Sequence, residues 1–196
     1  MKELIELANE IKDKKLREKT IKMLKEPEMS NPEIVYTPSK FEEIPAWVGS
    51  HHDYDGGEAE HTASMTKIAL QLAEHFEKIY KAKINKDHLI AGALLHDIGK
   101  VFLLKKSGKR WEHTGLTLDH ADLGAAMLFE KGFPEEVIHI VAAHGGDMGQ
   151  QGANPRTLEA TIVFYSDVID AAVESNIHGT SKIQFLLMPS EEGEEK

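Results

Sequence analysis

The 196-residue chain contains no cysteine, which excludes disulfide bridges, thiolate nucleophiles and sulfur-ligated metal sites. Its longest apolar runs, such as residues 89–95, are far shorter than the ~20 residues that cross a bilayer, and no basic-then-apolar leader opens the sequence. Positive charge is scarce, because 23 Lys and Arg face 33 Asp and Glu, and the net charge of −10 argues against a large nucleic-acid footprint. We therefore expect a cytoplasmic globular protein with no membrane partner.

Apolar residues make up 41% of the chain and charged residues 29%, which is enough for one core. Their spacing is helical almost throughout, without internal repeats or runs of alternating strand residues. This pattern predicts an all-α fold, a compact helical bundle. The expected helices cover residues 1–26, 61–80, 87–96, 118–130, 134–144 and 155–174, the last with Asn154 as N-cap.

Three stretches lack helical spacing. Residues 28–50 are proline-rich and predict an irregular wrap in which Phe41, Ile44 and Trp47 need burial. Residues 108–117 predict a loop or hairpin, and the glycine-rich residues 145–154 a mobile loop.

The domain organisation follows from these stretches. An N-terminal helix and the proline-rich wrap, residues 1–50, should pack on a main domain of residues 51–190, followed by a charged tail of residues 191–196. The apolar stripe of the first helix would serve either this packing or a homodimer, and the sequence leaves both open.

The segment 94–100, LLHDIGK, places His96 and Asp97 side by side at the end of an apolar helix. Burying an unpaired carboxylate is costly unless a partner charge is supplied. A divalent cation would supply that charge, and so would a hydrogen-bonded His–Asp pair in the core. The pair alone does not decide between these interpretations.

Other imidazoles and carboxylates lie at inward positions of further helices. His61 shares an apolar stripe with Met65, Asp167 interrupts the apolar run of the last helix, and His120 and His144 each lie on their own helix. Such ligands suit Fe²⁺, Mn²⁺, Zn²⁺, Ni²⁺ or Co²⁺, as one ion or as two bridged by a shared carboxylate. The candidate metal ligands are therefore His61, His96, Asp97, His120, His144 and Asp167.

In this order the six residues resemble the signature of the HD-domain metal phosphohydrolases, and HDIGK at residues 96–100 matches its most recognisable local form. The resemblance covers about residues 51–176 and implies a helical bundle whose metal site hydrolyses phosphate mono- or diesters. It also implies the ligand roles: His61, His96, Asp97 and Asp167 as primary ligands, with His120 and His144 completing a second metal site or binding phosphate.

Two segments, HHDYDGG at residues 51–57 and PRTLEA at residues 155–160, resemble two groups of HD proteins. One group is the 3′→5′ exoribonucleases with an OB-fold before the HD domain. The other is the archaeal phosphodiesterases that open the 2′,3′-cyclic phosphate of dihydroneopterin and are associated with ferrous iron. We expect no room for an OB-fold before residue 51, and the chain is acidic, so a small cyclic phosphate, of a pterin or a nucleotide, is the favoured substrate.

Two alternatives remain at this stage. The same site would serve a nucleotidase or an exoribonuclease acting on short single-stranded RNA, although the chain has only a small basic cluster at residues 105–110. The metal could instead be structural, in a non-catalytic scaffold.

Five residues receive catalytic or phosphate-binding roles. Asp97 would hold a metal-activated water in line and accept its proton. Lys100, one helical turn after the first motif residue, would stabilise phosphoryl charge or protonate the leaving oxygen, the alternative being a solvated helix end. His51 or His52, before a Gly-Gly turn, and Arg156, near a helix N-terminus, are candidate phosphate contacts or else exposed residues.

Other residues near these motifs receive weaker assignments. Trp111 and His113 would line the substrate entrance, where Trp111 would stack on a pterin or base, or else cover the core. Asp170, one turn after the predicted ligand of the last helix, would orient a ligand histidine or remain a surface charge. His139 cannot share a helix face with His144, so we expect it to be structural or exposed.

Overall fold

The computed structural model describes residues 1–145 and 153–178, and it confirms the all-α class. Within this part of the chain, eight helices are accompanied by one two-stranded antiparallel hairpin, which turns at Gly108 with a φ of 62°. The elements in chain order are α1 (Lys2–Ala8), α2 (Lys14–Lys25), α3 (Gly57–Tyr80), α4 (Lys86–Leu95), α5 (Lys100–Leu103), β1 (Leu104–Ser107), β2 (Arg110–His113), α6 (His120–Glu130), α7 (Glu135–Ala143) and α8 (Leu158–His178).

Helix α4 is the centre of the bundle. Every residue from Leu89 to Leu95 is buried, so the helix is apolar on all sides and packs against α2, α3, α7 and α8. Its C-terminal end carries the His-Asp motif into the interior. The long helices α3 and α8 pack against each other beside it and bring two more predicted ligands to the same end.

The N-terminal segment differs from the single helix predicted for residues 1–26, because α1 and α2 are separate helices. The Asp13 side chain accepts a hydrogen bond from the Leu16 amide at 3.0 Å and so begins α2 as its N-cap. Asp87 of α4 accepts from the backbone of Lys12 and Asp13 at 2.9 and 2.8 Å, which anchors the break to the bundle. The apolar stripe packs inside the chain's own core through Leu4, Ala8, Ile11, Leu16 and Leu24.

Residues 28–50 form the irregular wrap that the prolines predict. Phe41 and Ile44 are buried as expected, but the prediction for Trp47 is wrong, since its side chain is 45% exposed. The wrap is tied to the bundle where the Ser39 amide donates to the Val101 carbonyl at 2.7 Å. It therefore brings Trp47 and the following histidines over the end of α4.

The last helix begins three residues later than predicted. Thr157, not Asn154, caps it, because the Thr157 hydroxyl accepts from the Ala160 amide at 3.1 Å. The hairpin of β1 and β2 lies at residues 104–113, partly before the loop or hairpin predicted for residues 108–117.

Three of the predicted segments lie largely or wholly outside the described residues. The predicted loop at residues 145–154 falls mostly outside the described residues, and the end of the predicted main domain and the tail at residues 191–196 wholly so. Among the helices described, none has the length and apolarity needed to cross a membrane.

Candidate metal centre

The six predicted ligands meet at one end of the bundle, although five different helices carry or adjoin them. His61 lies in the second turn of α3, and Asp167 lies midway along α8. His96 and Asp97 directly follow α4, His120 is the first residue of α6, and His144 directly follows α7. The fold therefore gathers side chains that are up to about a hundred residues apart in sequence.

Two glycines allow this close approach. A Cβ at Gly99 would lie 2.1 Å from the His120 carbonyl oxygen, so only glycine lets the turn after α4 pack against the start of α6. A Cβ at Gly57 would lie 2.0 Å from the His52 carbonyl oxygen. The absence of a side chain at Gly57 lets the loop of residues 51–56 lie against the N-terminus of α3. There the His51 and His61 ring centroids are 5.0 Å apart.

Asp97 lies at the middle of the cluster, and its two carboxylate oxygens face different histidines. Two overlapping groups share it, each with ligand atoms close enough to hold an ion: one with His61 and His96, the other with His120 and His144. Asp97 Oδ2 is 3.1 Å from His96 Nε2, and Asp97 Oδ1 is 3.2 and 3.4 Å from the Nε2 atoms of His120 and His144. Asp167 Oδ1 closes the cluster, 3.0 Å from His61 Nε2.

Hydrogen bonds on the far side of each ring orient three of these histidines. His61 Nδ1 is 2.8 Å from Asp170 Oδ2, and Ser64 donates to the other oxygen of that carboxylate. The Nδ1 atoms of His96 and His144 contact the backbone carbonyl three residues earlier, at 2.8 and 2.6 Å. This pattern orients the rings and turns the Nε2 atom of each of the three toward the shared centre, which is how metal-binding histidines are arranged.

The donor set fits a divalent cation. Three buried atoms at the centre, His61 Nε2, His96 Nε2 and Asp97 Oδ1, have other ligand atoms 3.0–3.4 Å away but make no hydrogen bond of acceptable geometry among the residues described. A buried polar atom without a partner costs roughly 1–3 kcal/mol. A cation held by imidazole nitrogens and carboxylate oxygens would satisfy all three, and these are donors that first-row metals accept.

The electrostatics of the cluster also favour positive charge at its centre. Burial lowers the pKa of His61, but its contacts with Asp167 and Asp170 outweigh burial and raise the pKa to about 10. Burial raises the pKa of the Asp97 carboxyl, but Lys100 and His96 outweigh it and bring the pKa well below the ordinary value. The carboxylates are thus ionised, and a cation can replace the histidine proton.

Lys100 is buried beside Asp97, so the alternative of a solvated helix end is wrong. Its ammonium pairs with the Asp97 carboxylate and lies 3.2 Å from Glu58 Oε2. Glu58 is fully buried and accepts from the Thr62 hydroxyl at 2.9 Å. Sequence reasoning missed Glu58, although its place three residues before His61, on the same helix, was a usable signal.

A cavity of about 320 Å³ opens over the cluster, and some of the residues predicted to contact phosphate line it. Its lining includes His51, Lys100 and Trp47. Burial and the charge of His61 lower the pKa of His51 to about 3, so this ring is neutral. His52 is buried behind it, with Nε2 3.7 Å from Asp170 Oδ2.

Arg156 is not brought to the cavity lining. It is exposed, and its amide donates to His139 Nε2 at 3.0 Å, on a part of α7 remote from His144. His139 is thus a half-buried structural residue, as its position on the helix predicted.

The helical fold and the buried His/Asp cluster define a metal-dependent hydrolase, and the chain belongs to the HD-domain family, whose model matches residues 59–172. It is 45% identical over 175 residues to the dihydroneopterin 2′,3′-cyclic phosphate phosphodiesterase of Methanocaldococcus jannaschii, across 88% of this chain and 70% of that protein. The predicted resemblance is therefore confirmed.

More distant relatives are exoribonucleases. The chain is 33% identical over 177 residues to the 3′-5′ exoribonuclease YhaM of Oceanobacillus iheyensis, across 80% of this chain and 54% of that protein. It is 31% identical over 157 residues to YhaM of Geobacillus sp., across 74% of this chain and 46% of that protein. The chain thus spans about half the length of these exoribonucleases. No solved structure matches the chain.

Proposed function

We propose that this HD-domain hydrolase is a phosphodiesterase that opens a 2′,3′-cyclic phosphate, with the cyclic phosphate of dihydroneopterin as its substrate. The observation that carries the proposal is the set of three buried ligand atoms beneath an open cavity that make no hydrogen bond within residues 1–145 and 153–178. The 45% identity to the archaeal enzyme, across 88% of this chain, supports the pterin substrate.

In this proposal His61, His96, Asp97 and Asp167 would hold the first ion, and His120 and His144, together with Asp97, would hold a second. Imidazole and carboxylate donors without sulfur suit Fe²⁺ or Mn²⁺. A bound divalent ion lowers the pKa of water and neutralises charge on a phosphoryl oxygen. The residues around it decide where water and phosphate lie.

Asp97 would orient the attacking water through a carboxylate that its surroundings keep ionised. Its low pKa makes it a weak base, so it would accept the water's proton only in passing it to the leaving oxygen. Lys100 lines the cavity, and although burial opposes its charge, Asp97 and Glu58 raise its pKa above the ordinary value. A lysine held cationic in this way stabilises charge on the phosphoryl oxygens and is a poor proton donor. Attack of water on phosphorus then breaks one P–O ester bond, leaving a phosphomonoester and a free hydroxyl.

His51 would contact the phosphate as a neutral hydrogen-bonding group, since it lines the cavity and its pKa is low. His52, in this proposal, supports the site from behind through its approach to Asp170. An interaction of Arg156 with the phosphate would require the side chain to reach the cavity from an exposed position.

The exoribonuclease alternative is less well supported. Identity to those relatives falls to 33% and 31%, and the chain covers about half of their length. The net charge of −10 is also unfavourable for binding a polyanion, because single-strand binding proteins follow the phosphates with basic grooves.

The deciding experiment combines metal analysis with hydrolysis by the same preparation. The chain, reconstituted with Fe²⁺ or Mn²⁺, is assayed on dihydroneopterin 2′,3′-cyclic phosphate, 2′,3′-cyclic nucleotides and a short single-stranded RNA. We expect the pterin compound to give the highest kcat/KM and the RNA to remain intact. Asp97→Asn should abolish turnover, whereas Asp122→Asn, an exposed carboxylate on α6, should not change it.

Two results would contradict the proposal. RNA shortened from its 3′ end, with cyclic phosphates untouched, would assign the chain to the exoribonucleases. Stoichiometric metal without hydrolysis of any of the three substrates would favour the scaffold interpretation.

A further inference from the structure

A second cavity, of about 360 Å³, adjoins the cavity over the metal centre. The two share Trp47, Lys100 and His120, so a molecule bound at the metal centre can extend directly into it. Its volume lies within the range of roughly 300–1,000 Å³ typical of small-molecule sites. We call it the side cavity.

Two indole rings, those of Trp47 and Trp111, line the side cavity. Trp47 stands between the two cavities, 5.7 Å from Lys100 Nζ and edge-on to the His120 ring at 6.3 Å. Trp111 lines the side cavity from the hairpin. Its Nε1 donates to Asp55 Oδ1 at 2.7 Å, and Lys106, which pairs with the same carboxylate, lies over its ring at 5.4 Å.

These contacts hold Trp111 in one orientation. Its ring is partly buried, packs against the hydrophobic core and has Lys106 over it, and the surface left exposed lines the side cavity. Leu103 and Leu104 extend the apolar surface between the two indoles. A rigid, half-exposed aromatic pair beside a reaction centre is suited to stacking on a flat ring.

The charges of the side cavity indicate that the group it binds is uncharged. Its lining includes the acidic residues Glu112 and Asp119, whose negative charge would repel a second phosphate. One oxygen of Asp119 already accepts from the Ala121 amide at 2.9 Å, and the other oxygen can accept a hydrogen bond from a ring N–H group. The lysine in the lining, Lys100, is already paired with Asp97 and Glu58. This arrangement disfavours the next nucleotide of an RNA chain.

We propose that the side cavity binds the planar heteroaromatic ring of the substrate, stacked on Trp47 and Trp111, while the cyclic phosphate lies at the metal centre. This inference rests on the proposed function, and it assigns the substrate specificity of the enzyme to the side cavity. A pterin and a guanine share the same ring N–H and amino donors, whose hydrogen bonds an acidic residue of this lining can accept. The two rings are therefore compared directly in the test.

The first test measures ring binding without metal or catalysis. The chain contains two tryptophans, Trp47 and Trp111, so its indole fluorescence reports on the two proposed stacking surfaces alone. The full-length, metal-free protein is titrated with neopterin and with guanosine, which carry the ring but no phosphate. Trp47→Phe and Trp111→Phe then leave one reporter each, and we expect quenching of both.

The matched variants are Trp111→Leu and Phe129→Leu, the latter removing an aromatic ring that is 77% exposed on α6. Trp111→Leu should weaken ring binding roughly 10-fold, a loss within the range of about 5- to 150-fold that removal of an aromatic stacking partner produces. Phe129→Leu should leave it unchanged. Tighter binding of neopterin than of guanosine would assign the side cavity to a pterin, and the reverse to a nucleobase.

The inference is overturned if saturating neopterin and guanosine leave both tryptophans unquenched, or if Trp111→Leu binds as tightly as the unaltered protein. A kinetic test separates this failure from failure of the proposed function. In the loaded enzyme, Trp111→Leu should raise KM for the pterin cyclic phosphate roughly 10-fold relative to KM for propane-1,2-diol cyclic phosphate, which has no ring. An equal effect on both substrates contradicts the ring site, whereas hydrolysis of neither by the unaltered protein contradicts the proposed function.

Discussion

Replacing Gly99 by alanine should damage the metal centre without altering any proposed ligand. The added Cβ would lie 2.1 Å from the His120 carbonyl oxygen, 2.9 Å from its carbonyl carbon and 3.0 Å from the Gly124 amide nitrogen. An ordinary contact begins at about 3.4 Å, so the two backbones must separate by roughly 1.3 Å. Because all three atoms belong to backbone, no side-chain rotation can relieve the overlap.

This displacement would move His120 away from Asp97, because His120 Nε2 is only 3.2 Å from Asp97 Oδ1. A misplacement of about 1 Å can lower a rate on the order of 100-fold, and overpacking costs about 1–3 kcal/mol of stability. We expect Gly99→Ala to lose metal content and to lower kcat for cyclic-phosphate hydrolysis on that scale. Elemental analysis, steady-state kinetics and urea denaturation measure the three effects.

Gly92→Ala is the matched control, because its Cβ would meet the Ile140 side chain at 2.5 Å, with no backbone atom among its three nearest contacts. That variant should lose stability through overpacking while keeping its metal and its turnover. If Gly99→Ala retained full metal content and full kcat, the close approach of the motif turn to α6 would not position His120, and the reasoning would be refuted.

Three other perturbations probe the groups that surround the proposed ligands. Asp170→Asn removes the carboxylate behind His61 and should weaken metal binding about 10- to 100-fold in a competitive chelator titration. The control variant Asp122→Asn should bind metal as tightly as the unaltered protein. Glu58→Gln removes one of the two carboxylates that pair with Lys100 and should lower the free energy of unfolding in urea by about 1.5–3 kcal/mol. An unchanged urea midpoint would show that the Glu58–Lys100 pair does not stabilise the fold. Chelation should lower the melting temperature, because an ion held at 100 times its Kd adds about 2.7 kcal/mol, and a melting temperature indifferent to added metal would contradict binding to the folded state.

The sequence predicted those parts of the site that depend on local spacing. His96, Asp97 and Lys100 fall within one turn after a buried helix, so their proximity follows from the motif itself. The inward position of His61 follows from the apolar stripe that it shares with Met65 in α3, and that of Asp167 from the apolar run that it interrupts in α8. The orienting role expected of Asp170 also follows from local spacing, because Asp170 lies one helical turn after Asp167.

Contacts between distant segments could not be predicted in this way. The approach of Glu58 to Lys100 spans 42 residues and depends on how α3 packs beside the motif turn. Trp47 was expected to be buried because indoles usually are, yet the wrap leaves it beside two cavities. The break between α1 and α2 was missed because Asp87, far along the chain, supplies acceptors for the backbone there.

The contact between His61 and Asp170 joins residues 109 positions apart, so the metal centre is assembled from the two ends of the family domain. Contacts of such long sequence separation form late in folding, because loop closure must precede them. On a ribosome adding about 5–20 residues per second, the first histidine waits roughly 5–20 s before the carboxylates of α8 emerge. The nascent chain therefore has no complete metal site until α8 has been synthesised. Binding of the ion would then occur only in chains in which α8 has packed against α3.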